Sequence, residues 1–250
     1  EAGADINKQN QYGNNALMIA ITKSDIEIVK ILINKGTHLS AQNNNGETAL
    51  IISLAYKKVL ITNILLDNST TDIINIKNNY GSSVVSYIAK STINPEYDRA
   101  ELLHYLPLID RMISMKASFN VPTYGSRMSS PMLEILKIGY VPLFNKILDL
   151  KDINLLCVDT EGNDILHYLY INGLITSDML KKIIDKGYDI NNIKSGLKIT
   201  AYHLLLTIKD KKEIQNIINI LKEKVVLNKE ASLKIITFLL KEKNTELLRL

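Results

Sequence analysis

One cysteine, Cys157, is present in 250 residues, so the chain closes no disulfide on itself. That suits a reducing compartment such as the cytoplasm, or simple neglect of cysteine. The four histidines, His38, His104, His167 and His203, stand at no metal-ligand spacing, and Cys157 has no second cysteine beside it. No metal site is expected. The 11 glycines are spread singly, which excludes a glycine-rich phosphate cradle. Excess charge of one sign is lacking too. Thirty basic residues against 26 acidic ones leave a formal net charge of +4, too little to announce a nucleic-acid binder. The basic stretch Lys209-Asp210-Lys211-Lys212-Glu213 is interleaved with acids and reads as a solvated helix end, with Glu213, Lys222 and Lys224 facing water. No apolar run approaches the ~20 residues of a membrane span. No acids, bases and nucleophiles cluster, and Cys157 has no neighbouring base. The chain therefore reads as no enzyme, with no catalytic residue and no cofactor.

What is present is a repeat. Tyr12-Gly13-Asn14-Asn15-Ala16-Leu17 returns as Asn45-Gly46-Glu47-Thr48-Ala49-Leu50 and again as Glu161-Gly162-Asn163-Asp164-Ile165-Leu166. Each copy is a turn, a helix cap and the start of an apolar helix. The capping position holds Asn15, Thr48, Ser83, Ser130, Asp164 and Thr200, each with a side-chain oxygen able to accept from the free N–H groups of a first helical turn. The steps between them are 33, 35, 47, 34 and 36 residues. A period of this length marks a stacked repeat. A second landmark is Gly3-Ala4-Asp5-Ile6-Asn7, then Gly36-Thr37-His38-Leu39-Ser40, then Gly187-Tyr188-Asp189-Ile190-Asn191. There glycine follows an apolar helix, where a left-handed cap belongs. In the second repeat Asn68 stands at this place, and asparagine tolerates the left-handed region.

These motifs resemble the ankyrin repeat, whose Gly-x-Thr-Pro-Leu-His and Gly-Ala-Asp-Val-Asn stand here as Gly46-Glu47-Thr48-Ala49-Leu50-Ile51 and Gly3-Ala4-Asp5-Ile6-Asn7. The resemblance implies an all-α, ankyrin-like helical solenoid with extended, β-hairpin-like turns between repeats. A single array over 1–250 is expected, with approximate units 8–40, 41–75, 76–120, 121–155, 156–191 and 192–228. Both ends read as cut through a repeat, as in a window on a longer protein. The family's motif histidine falls at His167 and His203 and is expected to be structural, bonding locally. His38 reads as an exposed turn residue and His104 as a surface or helix-packing residue.

Helical spacing predicts first helices at about 16–23, 49–56, 84–90, 131–138, 165–172 and 201–209, with a last one near 231–241. Second helices are predicted at about 25–35, 58–66, 141–150, 176–186 and 211–224. Ile28, Ile31 and Leu32 share one helical face and read as core. The stretch from Thr92 to Pro107 breaks the period and reads as an enlarged loop that the stack can do without, the alternative being an added contact surface.

For function, the resemblance implies a protein–protein interaction scaffold that binds a protein partner on its concave surface, and a monomer is expected. The alternative is the targeting arm of a larger enzyme or effector whose catalytic domain lies outside this sequence. Carried onto this chain, the partner-binding positions are the turn tips Tyr12 and Asn14, Asn45 and Glu47, Tyr80 and Ser82, Glu161 and Asn163. Lys23, Tyr56 and Lys90 join them on the first helices. The residue just before the cap varies (Asn14, Glu47, Ser82, Asn163) with no structural use visible in the sequence.

Overall fold

The computed structural model describes residues 3–93, 99–120, 130–139, 141–159, 161–190, 208 and 210–224. The described residues form helices and turns with no strand. Gln42 and Thr48 make one isolated antiparallel bridge across an extended turn. No helix among the described residues is long and apolar enough to cross a membrane. The chain divides into two compact units, Glu1–Asn154 and Leu155–Leu250.

In the first unit, helices come in pairs. They are α1 (Ala16–Thr22) with α2 (Ile26–Asn34), and α3 (Ala49–Ala55) with α4 (Val59–Asp67). A short α5 (Thr71–Ile74) follows, then α6 (Val84–Ile93) with α7 (Arg99–Ser114), and α8 (Pro131–Ile138) with α9 (Val141–Leu148). First helices stack as α1, α3, α6 and α8. Second helices stack beside them as α2, α4, α7 and α9. The caps act as the repeat implies: Asn15, Thr48 and Ser130 accept from the N–H of Met18, Ile51 and Leu133. The second, third and sixth residues after each cap then point inward. Leu17, Met18 and Ile21, Leu50, Ile51 and Leu54, and Met132, Leu133 and Leu136 are all essentially inaccessible to water. Each such side chain stabilises the stack by about 1.5–3 kcal/mol.

Several expectations are corrected. Ser83 starts α6, yet its hydroxyl is buried with no partner. Instead Ser86 Oγ accepts from the Ser83 N–H at 3.2 Å, so the bond runs backward from the helix. Asn68 has φ −112° and is not left-handed, because the chain turns on into α5 rather than reversing there. Ile28 and Ile31 are 47% and 57% exposed. Of α2, only Val29 is fully buried, since the apolar spacing lies on a face that no neighbouring helix covers. The largest correction concerns Thr92 to Pro107. Residues 99–114 are one helix running through Pro107, and they are the second helix of the third repeat. Pro107 lies on the exposed side, while Tyr105, Leu108, Ile109 and Met112 are buried. Burial of that face offsets the ~3 kcal/mol that a helix-interior proline costs.

The second unit holds α10 (Ile165–Asn172), α11 (Ser177–Asp185) and α12 (Lys211–Lys224). Asp164 caps α10, accepting from the His167 N–H, and Thr176 caps α11. Glu213 does not face water as a free charge. It is half-buried and accepts from both the N–H and the hydroxyl of Ser177, tying α12 to the start of α11. The expected helices at 201–209 and 231–241, both chain ends, Thr200 and His203, and the side chains of His104, Lys222 and Lys224 lie outside the described residues.

Candidate functional site

The turns before α1, α3, α6 and α10 are each built on one residue, five positions before the cap. Asn10 Oδ1 accepts from the N–H of Tyr12 and Asn14. Asn43 Oδ1 accepts from Asn45 and Glu47, Asn78 Oδ1 from Tyr80 and Ser82, and Asp159 Oδ1 from Glu161 and Asn163. A side-chain acceptor thus closes the tip locally, as short polar side chains do in turns. The tips are also zipped to one another. The Asn44 N–H donates to Tyr12 O at 3.1 Å, and the Asn79 N–H to Asn45 O at 3.0 Å. Gln9 and Gln42 each bridge their own turn to the next one.

The residue before the cap has a structural use after all. Asn14 Oδ1 accepts from Asn43 Nδ2 at 3.2 Å, and Asn43 Nδ2 also reaches Glu47 Oε2 at 3.0 Å. Tyr87 donates its hydroxyl to Glu47 Oε1 at 3.2 Å and accepts from Asn78 Nδ2 at 3.0 Å. One chain of polar groups therefore runs from Asn14 to Asn78 across three repeats.

Beside these tips lies an open groove of about 270 Å³, walled by Tyr12, Asn14, Asn43, Asn44, Asn45 and Glu47 and by Thr22, Ile52 and Tyr56 of the first helices. Five of the eleven residues singled out from the sequence meet here: Tyr12, Asn14, Asn45, Glu47 and Tyr56. Tyr12 is 63% exposed and Tyr56 55% exposed, so neither ring is held in the stack. Lys23 and Tyr80 are exposed but do not line the groove. Ser82 is buried, as is Asn163, whose amide is bonded to Asp159 and Glu161. Glu161 is exposed on the turn of the second unit. The side chain of Lys90 lies outside the described residues. Sequence reasoning missed Thr22, Asn43, Asn44 and Ile52. Asn43 was findable, because asparagine or aspartate recurs five residues before the cap.

In the second unit the turn residue is a carboxylate, Asp159, and it is buried. Burial alone would raise its pKa. Hydrogen bonds from the Tyr168 hydroxyl, the N–H groups of Asn163 and Glu161 and the Asn163 amide hold it below the usual carboxylate range. His167 is buried at the third position after the cap, where Met18, Ile51 and Leu133 sit elsewhere. Desolvation lowers its pKa, against the opposing pull of Asp159, Asp164 and Glu161, and its Nδ1 has no partner. The expected local bond is thus absent at Nδ1. Tyr188 donates to Asp164 Oδ2 at 2.6 Å, and burial with that bond raises its pKa.

A pH dependence follows. An unfolded histidine takes up a proton below about 6.5 while the folded His167 resists it, so acid favours unfolding. Asp159 adds a second loss of stability below about pH 4, where the unfolded carboxyl is protonated and the folded one is not. Denaturant melts of wild type and His167→Leu across pH 7.5 to 5 should show the slope just below about 6.5 flattened by the substitution. An unchanged slope would assign it elsewhere.

Residues 2–79 match the family model described as ankyrin repeats (3 copies). That segment carries ankyrin repeats. Among solved structures, the ankyrin repeat domain of Bcl-3, titled a unique member of the IkappaB protein family, is similar over 87% of this chain and 87% of that one. The identity is 15% and the TM-score 0.51, a likeness of fold alone. No curated protein matches. Ankyrin repeats are in general protein–protein interaction modules.

Proposed function

We propose that this chain is a protein-interaction scaffold that holds a polypeptide partner along the turn tips and first helices of its N-terminal repeats. The observation that carries this reading is the groove in which Tyr12 and Tyr56 stand exposed over Ile52. Tyrosine offers a large contact area with few rotamers to freeze, and it is enriched at binding hot spots. The tips beneath are rigid before binding because the Asn10 and Asn43 side chains and the inter-repeat bonds already fix them, which lowers the ordering cost.

Peptides selected from a random library on the immobilised protein test this. Tyr12→Ala and Tyr56→Ala should each leave stability within roughly 0.5 kcal/mol, as exposed substitutions do. Each should weaken the selected peptides by more than about fivefold. Ile28→Ala, on the exposed face of α2, should not. Binding that follows Ile28 and ignores both tyrosines would move the site to the second helices.

A further inference from the structure

Glu47 is a half-buried carboxylate on the wall of this groove, and its two resolved partners are neutral: the Asn43 amide and the Tyr87 hydroxyl. Glu27, Asp67, Asp110 and Glu134 of the same unit each pair with a lysine or arginine. Among the described residues, no Lys, Arg or His stands within ion-pair distance of Glu47. Its charge is nevertheless held in place, since one oxygen is fixed from its own turn and the other from α6. Among the described residues, Glu47 is also the only charged side chain lining the groove. Around it stand two exposed tyrosine rings and Asn45, whose side chain makes no hydrogen bond among the described residues.

We infer that the groove takes an arginine side chain of the partner polypeptide, its guanidinium lying on a tyrosine ring and directed at Glu47. This rests on the reading that the groove is the partner surface. A fixed carboxylate without a counter-ion beside aromatic faces favours a cation. Arginine suits it better than lysine. The guanidinium is planar, stacks on rings and is weakly hydrated, and its five donors can satisfy Glu47 and the Asn45 carbonyl together. Lysine is a compact, strongly hydrated charge with no flat face to lay on the ring. Lys23 and Lys57 stand exposed at the ends of α1 and α3, outside the groove. Their repulsion is screened over about 8 Å at physiological salt.

The probes are two short peptides, acetyl-Gly-Ser-Arg-Ser-Gly-amide and the same peptide with citrulline, the uncharged isostere, in place of arginine. Titration into isotopically labelled protein, followed by amide resonances, should move Asn45, Glu47 and Tyr56 with the arginine probe. The citrulline probe should be at least about tenfold weaker, the scale of one lost charge-assisted hydrogen bond. Glu47→Gln should abolish the difference. Raising salt from about 0.15 M to 0.5 M should weaken only the arginine probe, which tests the charge in wild-type protein should the variant fold poorly. Equal binding of both probes at these amides would overturn the arginine assignment and leave the groove as a peptide site. No shift with the arginine probe up to about 10 mM, which corresponds to less than roughly 3 kcal/mol of binding, would overturn it as well. Failure of the groove itself is read separately, from library peptides that ignore Tyr12 and Tyr56.

Discussion

Gly46→Ala should destabilise the protein by about 2–4 kcal/mol, from backbone strain and overpacking together. Gly46 has φ +74°, where a Cβ is strained, and a Cβ built there would lie 2.7 Å from the backbone nitrogen of Asn79 in the next turn. That nitrogen cannot withdraw cheaply, because its N–H is bonded to Asn45 O. Gly36 makes the control. Its φ is +82° but nothing lies within 4 Å of its Cβ position, so Gly36→Ala should cost strain alone, about 1–2 kcal/mol. Chemical denaturation of both variants separates the two terms. Equal losses would mean that the zipping of neighbouring turns contributes nothing at Gly46. Gly13 repeats the geometry against Asn44, so Gly13→Ala should fall with Gly46→Ala.

Ile109→Ala in α7 should cost about 2–5 kcal/mol, the range for truncating a fully buried isoleucine. Ile109 is wholly inaccessible to water, and α7 packs on α4, α6 and α9. Removing 99–114 should abolish cooperative folding of the first unit, because it strips a helix from the middle of the second-helix stack. Pro107→Ala should do the opposite of harm. Pro107 is exposed, and alanine restores an N–H to the helix, worth up to about 3 kcal/mol. A shortened chain that melts as sharply as wild type would return the segment to a loop.

The α7 segment shows where reading by pattern stops. Pro107 and the 47-residue step between Ser83 and Ser130 both argue locally for a break, and local rules weigh proline heavily. The helix persists because Leu108, Ile109 and Met112 find neighbours on three other helices, a term that no local rule contains. Ile28 and Ile31 fail in the other direction. Their spacing is correct for a buried face, but which apolar face of α2 is covered depends on where its neighbours lie.

The candidate site was half legible. Tyr12, Tyr56 and Glu47 follow from repeat position and residue type, since a turn tip or helix end outside the stack must face solvent. Ser82 and Asn163 occupy the same register as Asn14 and Glu47 yet are buried. Register alone does not report depth. Asn43, the acceptor that shapes the tip, was open to the recurrence of asparagine or aspartate five residues before the cap, whereas the Tyr87 hydroxyl that reaches Glu47 from 40 residues away needed the tertiary structure.

By itself the sequence determined the helical repeat, the caps at Asn15, Thr48, Ser130 and Asp164 and the turn glycines, because these depend on hydrogen bonds and backbone preferences within a few residues. Only the tertiary structure decided that α7 is a helix of the stack, which face of each second helix is dry, and that Tyr12, Tyr56 and Glu47 share one groove. Those outcomes turn on which groups meet across repeats, and contacts between residues more than 30 apart leave no mark in the spacing of either partner.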